Sequence, residues 1–109
     1  ILSEAAHVVR AVDHPGVRLV VDTGNMMMEN ETPEVLASVL DCTAHVHLSA
    51  PQLSPISVRE SFLRSVIAQL RSHDYQGVTT IEMRAVAEEA PLAPLLRAAR
   101  LVRRLLDDT

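Results

Sequence analysis

The sequence contains no lysine and no tryptophan, and only one tyrosine, one phenylalanine, one cysteine and three glycines. A single cysteine excludes an internal disulfide framework and fits a reducing compartment, so a cytoplasmic setting is expected. Two aromatic rings cannot form the stacking platform that single-stranded nucleic acid requires. All ten basic residues are arginine, against fourteen acidic ones, for a net charge of −4 with histidine neutral. With no basic run, neither nucleic acid nor an anionic membrane surface is an expected partner. No apolar run is long enough to span a bilayer.

What remains is aliphatic. Apolar residues make up 48% of 109 positions, enough for one small domain whose core is built from Val, Leu, Ile, Ala and Met. That suits helices packed on a Val-rich parallel sheet.

The pattern alternates along the chain. Ala5, Ala6, Val8, Val9 and Val12 recur at helical spacing, with Ser3 as the expected N-cap of a helix to Val12. Asp13-His14-Pro15-Gly16 reads as a turn before a β-branched strand, Val17 to Asp22, which ends in Thr23-Gly24-Asn25. A loop holding Met26, Met27 and Met28 follows, with loop packing as their expected role. Thr32-Pro33 then starts a helix to about Asp41. Ala44 to Ser49 is a second strand, and the two prolines between Ala50 and Ile56 forbid regular structure.

The longest helix is expected from Ser57 to about Ser72, with Phe62, Val66, Ile67 and Leu70 on one face. Tyr75-Gln76-Gly77 turns into a third strand, Val78 to Met83. A final helix from near Pro91 or Leu92 carries Leu95, Leu96, Ala99, Val102, Leu105 and Leu106, with Arg97, Arg100, Arg103 and Arg104 as a solvated face. The order α-β-α-β-α-β-α implies an α/β fold of three parallel strands alternating with four helices, with no internal boundary in residues 1–109.

In such folds chemistry collects at the C-terminal edge of the strands. Each strand here reaches that edge with a metal-ligating residue type: Asp22, His47 and Glu82. Each also has a plainer reading. Asp22 could shape a turn or cap a backbone amide. His45 and His47 share a strand face and could be hydrogen-bonded interior histidines. Glu82, between Ile81 and Met83, needs a cation, a proton or an arginine such as Arg18 or Arg84 if it is buried. Three such ends in three strands carry more weight than any one of them, and two carboxylates with an imidazole suit Mn²⁺, Mg²⁺, Co²⁺ or Zn²⁺. Cys42 falls at the opposite end and reads as structural, and His7, His14 and His73 lie there too.

Three segments, Val20-Val21-Asp22-Thr23-Gly24-Asn25, His45-Val46-His47-Leu48-Ser49 and Thr80-Ile81-Glu82-Met83, resemble the sixth, seventh and eighth strands of the xylose isomerase-like TIM-barrel superfamily of sugar and sugar-phosphate isomerases and epimerases. The likeness implies the C-terminal portion of a (β/α)₈ barrel, with the N-terminal half of the barrel as its partner. It also implies one divalent metal ion held by Asp22, His47 and Glu82, the family's fourth ligand being a glutamate on a strand that would precede residue 1. Glu82 would be the catalytic base and a small sugar or sugar phosphate the substrate. Asn25, where the family often has histidine, and His45 would contact that substrate.

The implied reaction is isomerisation or epimerisation by proton transfer through an enediolate. A non-catalytic truncated or degenerate barrel acting as a binding or assembly module is the alternative. An endonuclease IV-like metal nuclease ranks third, since the charge is acidic and no further ligands flank the histidine strand. Homo-oligomerisation stays open.

A whole barrel needs about 250 residues. A three-stranded piece is therefore expected to hold about half an active site and to be inactive alone. It should be weakly stable, associated, or dependent on its missing half. A sharp, concentration-independent melting transition of a monomer would contradict that expectation.

Overall fold

The structure, a computed structural model, describes residues 1–109. Three strands, β1 (Leu19–Asp22), β2 (Thr43–Leu48) and β3 (Val78–Ile81), form one parallel sheet in the order β1-β2-β3. Helices α1 (Leu2–Val12), α2 (Thr23–Met28), α3 (Glu60–Ser72) and α4 (Leu92–Asp107) alternate with them. These are successive parallel strand–helix units, the arrangement that the resemblance to a TIM barrel implies. No helix is long and apolar enough to cross a membrane.

The sheet is two-faced. Leu19, Val21, Val46 and Leu48 point to the helices and join Leu2, Ala6, Met26, Leu36, Ile56, Leu63, Val66, Ile67, Leu101 and Leu105 in one core. The opposite face carries Val20, 50% exposed, Val78, 60% exposed, and the two histidines. The polar site therefore lies on an open surface rather than inside the core.

Register decides which residues reach that surface. Leu19 pairs with Thr43, but Val20 pairs with His45 and Asp22 with His47, so the ladder shifts by one residue between Leu19 and Val20. Ala44 is the extra residue, and the bulge turns His45 and His47 onto the open face. Without the shift, period-two alternation would place Asp22 beside Val46. Across the next pairing, His45 faces Val78 and His47 faces Thr80.

Several local expectations need correction. Helix α1 starts at Leu2 and Ser3 is not its cap; the free Leu2 amide is bound by the Glu31 carboxylate at 3.2 Å. The segment after β1 is a helix, not a loop, and Met26 is buried in the core while Met28 is exposed. The expected helix to Asp41 forms as two 3₁₀ turns, Pro33–Ser38 and Leu40–Cys42. Its buried residues Pro33, Leu36, Val39 and Cys42 recur every third position, the period of a 3₁₀ helix. The proline-rich stretch holds a short turn at Pro51–Leu53, and α3 begins at Glu60 after another 3₁₀ turn, Ile56–Arg59. Helix α3 buries Leu63 where Phe62 was expected to lead, with Phe62 half-buried beside it. Helix α4 buries Pro94, Ala98, Leu101 and Leu105, leaving Leu95, Leu96 and Leu106 exposed. Among its arginines, Arg97 pairs with Glu89, Arg103 with Asp107 and Arg104 with Glu60, as a solvated face should.

Tyr75 closes the turn before β3. Its hydroxyl donates to the Val78 carbonyl at 3.1 Å, and its ring leaves no room for a side chain at Gly77. Partial burial raises the phenol above its ordinary value of about 10, against the opposing charge of Arg18. A raised folded-state value means that the neutral phenol contributes stability below pH 10 or so, which is lost as pH climbs through the folded value. Because Tyr75 is the only tyrosine and tryptophan is absent, tyrosinate absorbance reports this group alone. The folded protein should titrate above the urea-unfolded chain; coincident curves would refute the burial.

Candidate metal centre

Asp22 ends β1 and also opens α2. Its backbone is extended (φ −121°), and Oδ1 accepts the Asn25 amide at 2.9 Å as the helix N-cap. The turn-forming and the ligand readings of this residue are therefore compatible, since they use different oxygens. Oδ2 faces β2, where His47 Nδ1 lies 4.0 Å away.

His47 stands near the C-terminal end of β2 and brings Nδ1 to 3.0 Å from Glu82 Oε2. Glu82 lies one residue beyond β3, and its amide continues the ladder by donating to the Leu48 carbonyl at 3.0 Å. Its carboxylate is 44% exposed, so no burial penalty forces a partner on it. That partner is His47, not an arginine. Arg18 instead donates to the carbonyls of Asp41, Cys42 and Thr43 at the other end of the strands.

Asp22, His47 and Glu82 each offer one donor atom, and all three lie within 4.8 Å of one another. With metal–ligand bonds of about 2.0–2.2 Å, two donors on one cation sit roughly 3 Å apart when adjacent and 4 Å when opposed. The two distances from His47 Nδ1, 3.0 Å to Glu82 and 4.0 Å to Asp22, fit that range, whereas the 4.8 Å spread of the whole set is slightly wider and would have to tighten around an ion. A cation in their midst would be held by the imidazole nitrogen and the carboxylate oxygens as ligands.

The other sequence candidates divide. His45 lies one pair deeper on the same face, with Nε2 2.7 Å from Thr80 Oγ1 and its ring edge-on to His47 at 4.7 Å. The exposed Asn25 is engaged by the Asp22 cap through its backbone amide only, which leaves its side chain free at the rim. Cys42 is buried far from the triad at the start of β2, consistent with a structural role.

Sequence reasoning missed Thr23 and Ser49, both fully buried. Thr23 Oγ1 donates to the Ser49 carbonyl at 2.7 Å and accepts the Ser49 amide at 2.8 Å. The Ser49 hydroxyl accepts the Gly24 amide at 2.9 Å and donates to Asp22 Oδ1 at 2.8 Å. The available signal was two hydroxyl residues, each directly after a strand, at the same sheet edge.

A protein-family model described as xylose isomerase-like TIM barrel matches residues 2–105. No curated protein matches the chain.

Gly24 is required for space. A Cβ there would lie 2.7 Å from the Ala50 carbonyl oxygen and 2.8 Å from Ser49 Oγ. Gly24→Ala should therefore cost about 1–3 kcal/mol, measured as a lower denaturation midpoint. An unchanged midpoint would show that the start of α2 is not packed against Ser49 and Ala50.

Proposed function

This chain belongs to the xylose isomerase-like TIM-barrel family, and from that membership we propose that it carries part of the active site of a divalent-metal-dependent sugar or sugar-phosphate isomerase or epimerase. The observation that carries the proposal is the convergence of Asp22, His47 and Glu82 from three strands on one point.

Stability does not account for that convergence. The His47–Glu82 contact is part-exposed, and such pairs contribute about 0–1 kcal/mol. The three groups also occupy the open sheet face, at the edge where α/β folds place ligands.

Removing a proton next to a carbonyl leaves an enediolate whose negative charge must be offset. A bound divalent cation would supply that offset as a Lewis acid and would gather neighbouring substrate oxygens. Asp22 Oδ2 and His47 Nδ1 would hold the cation. Glu82 contributes Oε2 to the same group and takes the substrate proton on its carboxylate, returning it at the neighbouring carbon. Asn25, at the rim, offers a carboxamide to a substrate hydroxyl, while His45 lines the floor, oriented by Thr80. A small hydroxylated aldose or ketose fits this role, because it brings the carbonyl that the proton transfer needs and hydroxyls for the remaining contacts.

The test is Mn²⁺ binding by the full-length protein, followed calorimetrically. Wild type should bind one ion, and Glu82→Gln and His47→Ala should each weaken binding by at least tenfold and abolish turnover of ketose substrates. Unchanged affinity and turnover in both variants would refute the assignment.

A further inference from the structure

We infer that Ser49 is a positioning residue for the metal ligand Asp22, fixing that carboxylate for one-oxygen coordination and thereby favouring small divalent cations over Ca²⁺. This rests on the metal reading proposed above and deepens it.

The argument is an accounting of donors and acceptors. The Gly24 amide can only donate, so Ser49 Oγ must accept from it, and the hydroxyl hydrogen is left for a single acceptor, Asp22 Oδ1. Oδ1 already accepts the Asn25 amide. Two donors thus occupy Oδ1, whereas no hydrogen bond reaches Oδ2, which lies 4.0 Å from His47 Nδ1. The carboxylate cannot rotate without breaking both bonds, and the oxygen left for a cation is the one aimed at the triad.

The hydroxyl is itself immobile. Ser49 is fully buried, and its amide and carbonyl are both tied to the Thr23 hydroxyl. Thr23 thus joins the ends of β1 and β2, and Ser49 transmits that rigidity to the carboxylate. Groups that orient a metal ligand in this way typically change metal affinity by about 10–100-fold when removed.

Selectivity follows from the denticity. Ca²⁺ takes six to eight oxygens and often both oxygens of a carboxylate, whereas Mg²⁺ and similar small ions accept one oxygen from each. An Asp22 whose Oδ1 is occupied suits the second class. Removing the Ser49 hydroxyl frees one lone pair of Oδ1, the Asn25 amide keeping the other, and should weaken Mn²⁺ binding while giving Ca²⁺ access to a second oxygen.

The experiment measures Mn²⁺ and Ca²⁺ affinities of the full-length protein by calorimetry, for wild type, Ser49→Ala and Ser49→Cys. The cysteine variant keeps a side chain in the buried position but donates only weakly. Melting curves establish which variants are folded. The expected result, in each folded variant, is a Mn²⁺ affinity at least tenfold lower and a Ca²⁺ affinity that falls less, so that the Mn²⁺/Ca²⁺ preference narrows. A structural role alone would lower the melting temperature and leave that ratio unchanged, and this outcome overturns the inference. So does wild-type Mn²⁺ affinity in either folded variant, or a failure of both variants to fold. If wild type binds no Mn²⁺, the metal reading itself fails, and the inference with it.

Discussion

The alignment of Asp22 with His47 is the constraint from which the rest of the site follows. It depends on a one-residue shift in the β1–β2 ladder, which leaves Ala44 unpaired and turns both histidines away from the core. Hydrophobic burial holds the register: Val21, Val46 and Leu48 are almost wholly excluded from water on the helix side, and slipping the strands would expose them. The polar face is thus positioned by the apolar one. Just beyond the strand ends, the Thr23–Ser49 bonds fasten the same two strands again.

Stability and chemistry are consequently separated by the thickness of the sheet. The helices, with Leu63, Val66, Leu101 and Leu105, bury the apolar area that holds the chain together. The triad contributes little to that, being part-exposed and linked by contacts that water competes for. Such a division lets side chains on the open face change without unfolding the scaffold, which is why one barrel architecture supports many reactions.

The open face also has an apolar component. Val20 and Val78 flank His45 there, and Leu95, Leu96 and Leu106 line the exposed side of α4. Parallel sheets ordinarily have both faces covered. The fold is thus organised as a set of adjoining strand–helix units, in keeping with the family to which the chain belongs. The site sits where the polar part of the open face meets the strand ends.

Much of this was legible in the amino-acid sequence. Apolar periodicity placed all three strands and the three longer helices, α1, α3 and α4, because burial of one face is a local pattern along the chain. The polar strand ends Asp22, His47 and Glu82 stood out because each interrupts an aliphatic run. Their convergence could be expected from parallel alternation, but three other features depended on contacts between distant segments. The ladder shift at Ala44 arises from pairing two strands whose separate patterns do not reveal it. The short helix after Asp22 has weak intrinsic propensity and is held by a cap and by Ser49, 27 residues further along. The face that α4 buries was misjudged because its leucines surround the helix, so only packing against α3 and the turn before it could select Leu101 and Leu105 over Leu96 and Leu106. The sequence alone determined which residue types reach the edge of the sheet, since local alternation specifies that. Which atoms of those residues face each other was decided by tertiary structure, because hydrogen bonds across 25 or more residues set the carboxylate's orientation.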